Sequence, residues 1–262
     1  MPKVAVLGAG VYGTALGGIL AGNGYDVDYY DPLKEREELK NVVSKSRAIV
    51  LSLPSEIAAH LLPHLPKEIY LVVACKGFLS DKPFDNFSNW GIISGAGFAK
   101  DFKTNKSIQL TVTDHKISDM FYAPNLCFDF TTDKKGVLMC GALKNVYALI
   151  AGRMGLKPGS KKLQNYILSA SNEMGMILKL NGANFKTIRL ACGVKDLILT
   201  CSPDSRNYSY GLSLKDGEYN NINETIESLS TLRRILRREI LIPDDAVILS
   251  NFLKEIKNEV KL

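Results

Sequence analysis

The spacing of apolar positions along this chain changes once, near residue 135. Before that point short apolar runs recur: Val4 to Leu7, Val27 to Tyr30, the first part of RAIVLSLPSEIAAHLLPHL (47–65), EIYLVVACKG (68–77), SIQLTVT (107–113) and NLCFDFT (125–131). Such runs, rich in β-branched and aromatic residues, predict buried strands. Between the first two, Thr14 to Ala21 has helical spacing and GNG (22–24) ends it, so the opening order is strand, glycine turn, helix, strand. A Pro-Ser turn and a further helix follow the strand in 47–65, and the helix would carry His60 and His64 four residues apart. From Gly136 the pattern becomes helical. CGALKNVYALIAG (140–152) is a densely apolar helix, and Ile222, Ile226, Leu229, Leu232, Leu236 and Ile240 mark another. These periods predict an α/β protein: a Rossmann-type doubly wound sheet over residues 1–135, then an all-helical domain over 136–262. No long Pro/Gly/Ser linker divides the halves, so they should pack together, with a cleft between them as the default ligand site.

Composition narrows the class. With 262 residues, 46% hydrophobic and 23% charged, the chain is an ordinary globular protein able to bury a sizeable core. MPKVAVLGAG lacks the features of a secretory signal, and no window is apolar enough for a membrane span, which points to the cytoplasm. Cys75, Cys127, Cys140, Cys192 and Cys201 are scattered and odd in number, so reduced and mostly buried thiols are expected. His60, His64 and His115 lack cysteine or carboxylate company at metal-ligand spacing, and no metal site is expected. The net charge of +6 suits an anionic small ligand. RRILRR (233–238) reads as a solvated basic face rather than a polyanion site, so no nucleic-acid partner is expected.

Three stretches carry candidate chemistry. Gly8, Gly10 and Gly13 fall at G-x-G-x-x-G spacing between a strand and a helix, with Val11 and Tyr12 inside the motif. Gly8 allows the tight turn, Gly10 lets a pyrophosphate approach the backbone, and Gly13 lets helix and strand pack closely, which together predict a dinucleotide site. Asp31, at the end of the second strand, is placed for an adenosine ribose diol and favours NAD; Lys34 and Arg36 lie near enough to meet a 2′-phosphate and keep NADP open. Lys76 follows an apolar strand, at the end of the sheet where ligands sit. The second stretch is GALKN, where Lys144 and Asn145 interrupt an apolar helix; an ammonium there must snorkel out or occupy a cavity. The third is GVKDLILTCSPDSRNYSYG (193–211). Asp196 and Thr200 share a helix face, while Ser205, Arg206 and Asn207 form either a phosphate grip or a capped surface loop.

Taken in order, the glycine motif, Lys76-Gly77, GALKN and D-x-x-x-T-x-x-x-x-S-R-N resemble the NAD(P)-dependent glycerol-3-phosphate dehydrogenases over nearly the whole chain. The resemblance implies reversible hydride transfer between NAD or NADP and dihydroxyacetone phosphate, giving glycerol 3-phosphate for phospholipid synthesis. It implies that Lys144 is the catalytic acid and base, that Asp196 orients it, and that Lys76 is a second active-site lysine near both substrate and cofactor. Asn145, Thr200, Ser205, Arg206 and Asn207 match substrate-side positions, with Arg206 also beside the cofactor. Gly95 and Gly97 in ISGAGFAKDF (92–101) match substrate-side positions of a loop, Ala99 a cofactor contact, and Glu227 a late cofactor-side glutamate. Relatives often form homodimers through the helical domain, which makes a homodimer possible here, although the C-terminal helices look trimmed and the sequence itself does not report the subunit count.

Departures from the family pattern keep other functions open. The loop reads SGAGFA where relatives carry S-G-P-S-F-A, so Ala96 and Gly97 replace proline and serine and substrate binding should weaken. KPGSKKLQN (157–165) lacks an acid found after GALKN in relatives, and the chain is short for the family. A non-catalytic nucleotide- and phosphate-binding sensor, or a reductase for another small phosphorylated or hydroxy-acid substrate, are the alternatives.

Overall fold

The computed structural model describes residues 1–32, 39–104, 106–215 and 226–259. Lys34, Arg36 and Ile222 lie outside the described residues. Two compact units divide the chain: Met1–Lys76 with Ser80–Lys134, and Gly77–Leu79 with the chain from Lys135 onward.

Among the described residues of the first unit seven strands form one sheet: β1 (Lys3–Leu7), β2 (Asp26–Tyr30), β3 (Ala48–Leu51), β4 (Tyr70–Val73), β5 (Trp90–Ala96), β6 (Ile108–Val112) and β7 (Leu126–Phe130). Their spatial order is β2-β1-β3-β4-β5-β6-β7. Every pairing is parallel except β5 with β6. Strands β1, β3 and β4 are buried along almost their whole length, as both-face coverage of a parallel sheet requires. Helices α1 (Val11–Gly22), α2 (Leu39–Ser44), α3 (Ser55–Leu61) and α4 (His115–Met120) complete the unit. Val4, Val6, Leu16, Leu20, Val50, Val72, Ile93 and Leu110 belong to one core cluster on α1's side of the sheet.

Several boundaries differ from the sequence expectation. Helix α1 begins at Val11, three residues before Thr14, because Gly10 is already its N-cap and Thr14 N–H closes the first turn on Gly10 O at 2.9 Å. Strand β4 stops at Val73, so Lys76 sits in the loop beyond it. The expected helix carrying both histidines changes after Leu61 into a 3₁₀ turn, Leu62–His64, around Pro63, and both histidines are exposed. Strand β5 was not expected at all. Its glycines read as loop, yet Gly95 at φ +146 lies where a Cβ would stand 2.9 Å from Gln109 O and Leu110 Cα, in the backbone of β6.

The second unit is helical: α5 (Lys134–Arg153), α6 (Lys161–Leu180), a 3₁₀ turn (Phe185–Arg189), a π turn (Ala191–Lys195), α7 (Asp196–Thr200), α8 (Arg206–Lys215), α9 (Glu227–Leu236) and α10 (Val247–Glu259). Helix α5 is buried without a break from Gly136 to Gly152. Helices α5 and α8 approach closely at two glycines. A Cβ on Gly152 would strike Tyr208 O, and one on Gly211 would strike Leu149 O. Only hydrogen at both positions permits that crossing, which sets Lys144 and Asn145 of α5 against the start of α8. Glu173 of α6 binds the other helices together: its carboxylate accepts from Tyr147 Oη (3.0 Å) and from the Ile248 (2.6 Å) and Leu249 (3.2 Å) amides at the start of α10. Helix α9 is shorter than its apolar pattern, because Arg238 at φ +59 turns the chain before Ile240. Arg233, Arg237 and Arg238 are exposed, while the Arg234 guanidinium lies 5.3 Å from the centroid of the Phe78 ring. No described helix is long and apolar enough to cross a membrane.

Candidate functional site

In the first unit the glycine turn between β1 and α1 is explained residue by residue. Gly8 has φ +111, and a Cβ there would lie 2.6 Å from Ser52 O at the end of β3. Its amide donates to Tyr30 O at 2.7 Å, which ties the turn to β2. A Cβ on Gly13 would run into Gly8 O. Gly10 differs: among the described residues a Cβ there meets nothing within 4 Å, so hydrogen at this position keeps open space over the backbone rather than avoiding a clash. Such space at a helix N-terminus, with free N–H groups and a positive dipole end, fits a pyrophosphate.

The surroundings supply further polar groups. Among the described residues, the buried Ser52 Oγ has no hydrogen-bond partner; it lies 3.3 Å from where a Gly13 Cβ would be. Sequence reasoning passed over Ser52, which has the look of an ordinary turn serine before Pro54. Asp31 is buried directly after β2, and Val11 is 79% exposed in the first turn of α1. The Lys76 ammonium lies 5.6 Å above the Tyr12 ring, whose edge contacts Phe102 at 5.8 Å between centroids. Gly97 and Ala99 follow β5. A Cβ on Gly97 would stand 2.8 Å from Ile108 Cγ2, so a serine here requires Ile108 to yield.

In the second unit Lys144 does not snorkel. It is 3% exposed, and its Nζ donates to Asp196 Oδ1 at 2.7 Å and to Thr200 Oγ1 at 2.9 Å. The Thr200 hydroxyl donates in turn to Asp196 O at 2.6 Å, so it meets the ammonium through a lone pair. Asp196 is 1% exposed, and the pair satisfies the rule that a buried charge needs a partner and a hydrogen bond. Asn145 Oδ1 accepts from Asn207 Nδ2 at 3.1 Å, and Asn207 Oδ1 accepts from the Ser228 amide at 3.1 Å. GALKN, the S-R-N segment and the start of α9 therefore share one polar chain. Ser205 is buried, Arg206 is exposed at the start of α8, and Glu227 is half-buried at the start of α9. Sequence reasoning missed Ser228 and Ser230, whose buried hydroxyls have no partner among the described residues.

Burial also sets the character of the thiol nearest this cluster. Desolvation pushes Cys201 up to about 12, against the opposing pull of Lys144, so it is a neutral thiol at physiological pH. The same burial raises Tyr147 and Tyr166 well above the usual phenol range. Cys75, Cys140 and Cys192 are buried and Cys127 is exposed, all as thiols rather than disulfides. Among the described residues, no three His, Cys, Asp or Glu side chains gather as a metal site.

A doubly wound dinucleotide unit joined to a helical unit with a buried lysine and aspartate defines the architecture of a nicotinamide-dependent dehydrogenase. Comparison with known proteins narrows this. Residues 133–243 match the family described as NAD-dependent glycerol-3-phosphate dehydrogenase C-terminus. A glycerol-3-phosphate dehydrogenase [NAD(P)+] of Pseudomonas syringae pv. tomato is 30% identical, over 88% of this chain and 82% of its own length. Its counterpart from Teredinibacter turnerae is 28% identical, over 88% and 83%. The crystal structure of glycerol-3-phosphate dehydrogenase from Coxiella burnetii superposes with a TM-score of 0.80 at 23% identity, covering 97% of this chain and 95% of that one. The chain belongs to the NAD(P)-dependent glycerol-3-phosphate dehydrogenase family.

Proposed function

We propose that the protein is an NAD(P)-dependent sn-glycerol-3-phosphate dehydrogenase that interconverts dihydroxyacetone phosphate and glycerol 3-phosphate and supplies the latter for phospholipid synthesis. The observation that carries this is the buried Lys144, held by Asp196 and Thr200 in a chain whose relatives bear that name. Among the described residues, the open space at Gly10 and the unpartnered Ser52 Oγ fit a dinucleotide phosphate, and Gly8, Gly10, Val11, Tyr12 and Gly13 would hold it. When bound, the reduced nicotinamide supplies hydride to C2 of the ketone.

The residues of this chain manage the proton. Lys144 Nζ gives a proton to the C2 oxygen during reduction and takes it back during oxidation. Asp196 keeps the ammonium in place, and Thr200 fixes its direction through a lone pair. Lys76 adds positive potential to the developing alkoxide. Asn145, Ser205, Arg206 and Asn207 are assigned to the substrate, its phosphate included, and Gly95 and Gly97 to the same side. Ala99, Arg206 and Glu227 are assigned to the cofactor, and Asp31 to the adenosine ribose, which favours NAD over NADP. The residue division at 135 and a cytoplasmic location belong to the same proposal. So does a homodimer through the helical unit, supported by exposed Met154, Leu168 and Val247; sedimentation as a monomer at micromolar concentration would remove it.

The direct test is oxidation of NADH and NADPH in parallel by the purified protein with dihydroxyacetone phosphate. Turnover, faster with NADH, is expected. Silence with both cofactors despite nucleotide binding would shift the assignment to a sensor or to another substrate. Gly97 favours the latter, since a serine Cβ there would stand 2.8 Å from Ile108 Cγ2.

A further inference from the structure

Asp196 reaches Lys144 from the end of a turn that is one residue wider than an α-helix. Ala191–Lys195 is a π turn, and the Asp196 amide donates to Ala191 O, five residues back, and to Gly193 O. An α turn would place that bond on residue 192 and rotate the Asp196 side chain by roughly 100° about the axis.

Gly193 is what allows the wide turn. Its φ −97°, ψ −110° is not helical. A Cβ there would overlap the Ile188 carbonyl oxygen and lie 2.5 Å from the carbonyl carbon and 2.6 Å from Cα. These are backbone atoms, so no side-chain rotation relieves the overlap. Nor can the segment swing outward easily: Ala191, Cys192 and Gly193 are buried, the Leu190 amide donates to Thr187 O at 3.1 Å and the Gly193 amide to Leu190 O at 3.0 Å. A methyl at residue 193 must push Ile188 and the turn apart, and Asp196 is the next rigid point along the chain. Gly175 in the same unit supplies the contrast, since a Cβ there comes no closer than 3.9 Å to Ile188 Cγ2.

We propose that Gly193 is a positioning residue: by admitting the Ile188 carbonyl it sets the π turn that delivers the Asp196 carboxylate to Lys144. The inference rests on Lys144 being the proton donor of the proposed reaction. In Gly193→Ala the kcat for dihydroxyacetone phosphate reduction falls about 100-fold, the cost typical of a slightly misplaced catalytic group. Affinity for reduced cofactor, read by fluorescence, stays within about twofold, and Gly175→Ala behaves as the unmodified protein. In an Asp196→Asn background Gly193→Ala adds less than about a twofold further loss, because both changes act through one contact. Crystals of Gly193→Ala show the 2.7 Å separation of Lys144 Nζ and Asp196 Oδ1 lengthened.

Unchanged kcat in Gly193→Ala, or a loss that multiplies fully with Asp196→Asn, overturns the proposal. Should Gly193→Ala not fold, amide exchange on the unmodified protein decides: slow exchange at Asp196 is expected, and a rate equal to that of an unprotected peptide overturns it. Absence of turnover in the unmodified protein defeats the functional reading alone, since the Lys144 to Asp196 separation in Gly193→Ala crystals still judges the geometry.

Discussion

At the scale of single residues, the three glycines of the turn after β1 look alike in sequence but differ in what they exclude. Gly8 and Gly13 have backbone where a Cβ would go, whereas Gly10 has open space. Gly10→Ala therefore leaves the melting temperature within about 2 °C and weakens cofactor binding tenfold or more, while Gly8→Ala lowers the melting temperature by several degrees. Titration calorimetry beside thermal unfolding checks both, and unaltered affinity in Gly10→Ala contradicts the phosphate assignment. Thr200 is as informative. The family resemblance implies a place near substrate, and in the structure its proton goes to Asp196 O and its lone pair to Lys144. Thr200→Val removes an acceptor from a buried ammonium, worth about 1–3 kcal/mol, so kcat should fall roughly tenfold with KM little changed. A rise in KM alone points to a substrate contact instead.

At the scale of elements, α5 is legible because Lys144 and Asn145 break an otherwise apolar run, and all seventeen positions from Gly136 to Gly152 prove buried. The features that aim the site are not. ACGVK carries no mark of a π turn, since its width depends on where the Ile188 carbonyl lies in three dimensions. WGIISGA hides strand β5 because Gly95, needed for the approach of β6, reads as a loop residue. Glu173 looks like an ordinary solvated acid on an amphipathic helix, yet it is 5% exposed and accepts three hydrogen bonds. Glu173→Gln keeps the shape but sets an NH₂ group against the donors of Tyr147 or α10, at a cost of about 1.5–3 kcal/mol. Urea unfolding should show a lower midpoint; an unchanged midpoint contradicts the role given to this carboxylate.

At the scale of the whole molecule, the order of the strands other than β5, the helix after the glycine turn and the turn to a helical second half follow from hydrophobic period and glycine punctuation. Positions of chemical groups follow less completely: motifs picked out Lys144, Asp196, Thr200, Asn145 and Asn207, which the helical unit brings into bonded sets, but not the Ser52 and Ser228 hydroxyls. Serines have no periodic signature, and their burial depends on tertiary packing. The net charge of +6 acts at this scale too. Attraction of a phosphorylated substrate should weaken as salt rises from about 0.05 to about 0.5 M, raising KM with kcat nearly constant, and a flat KM contradicts electrostatic steering. Central to the whole is Lys144 as the group that moves the proton. Hydride transfer to dihydroxyacetone phosphate should be measured in Lys144→Ala and the unmodified protein, with cofactor affinity read on the same samples. Loss of transfer by at least about 1,000-fold with cofactor affinity retained is the expected result; turnover surviving in Lys144→Ala contradicts it.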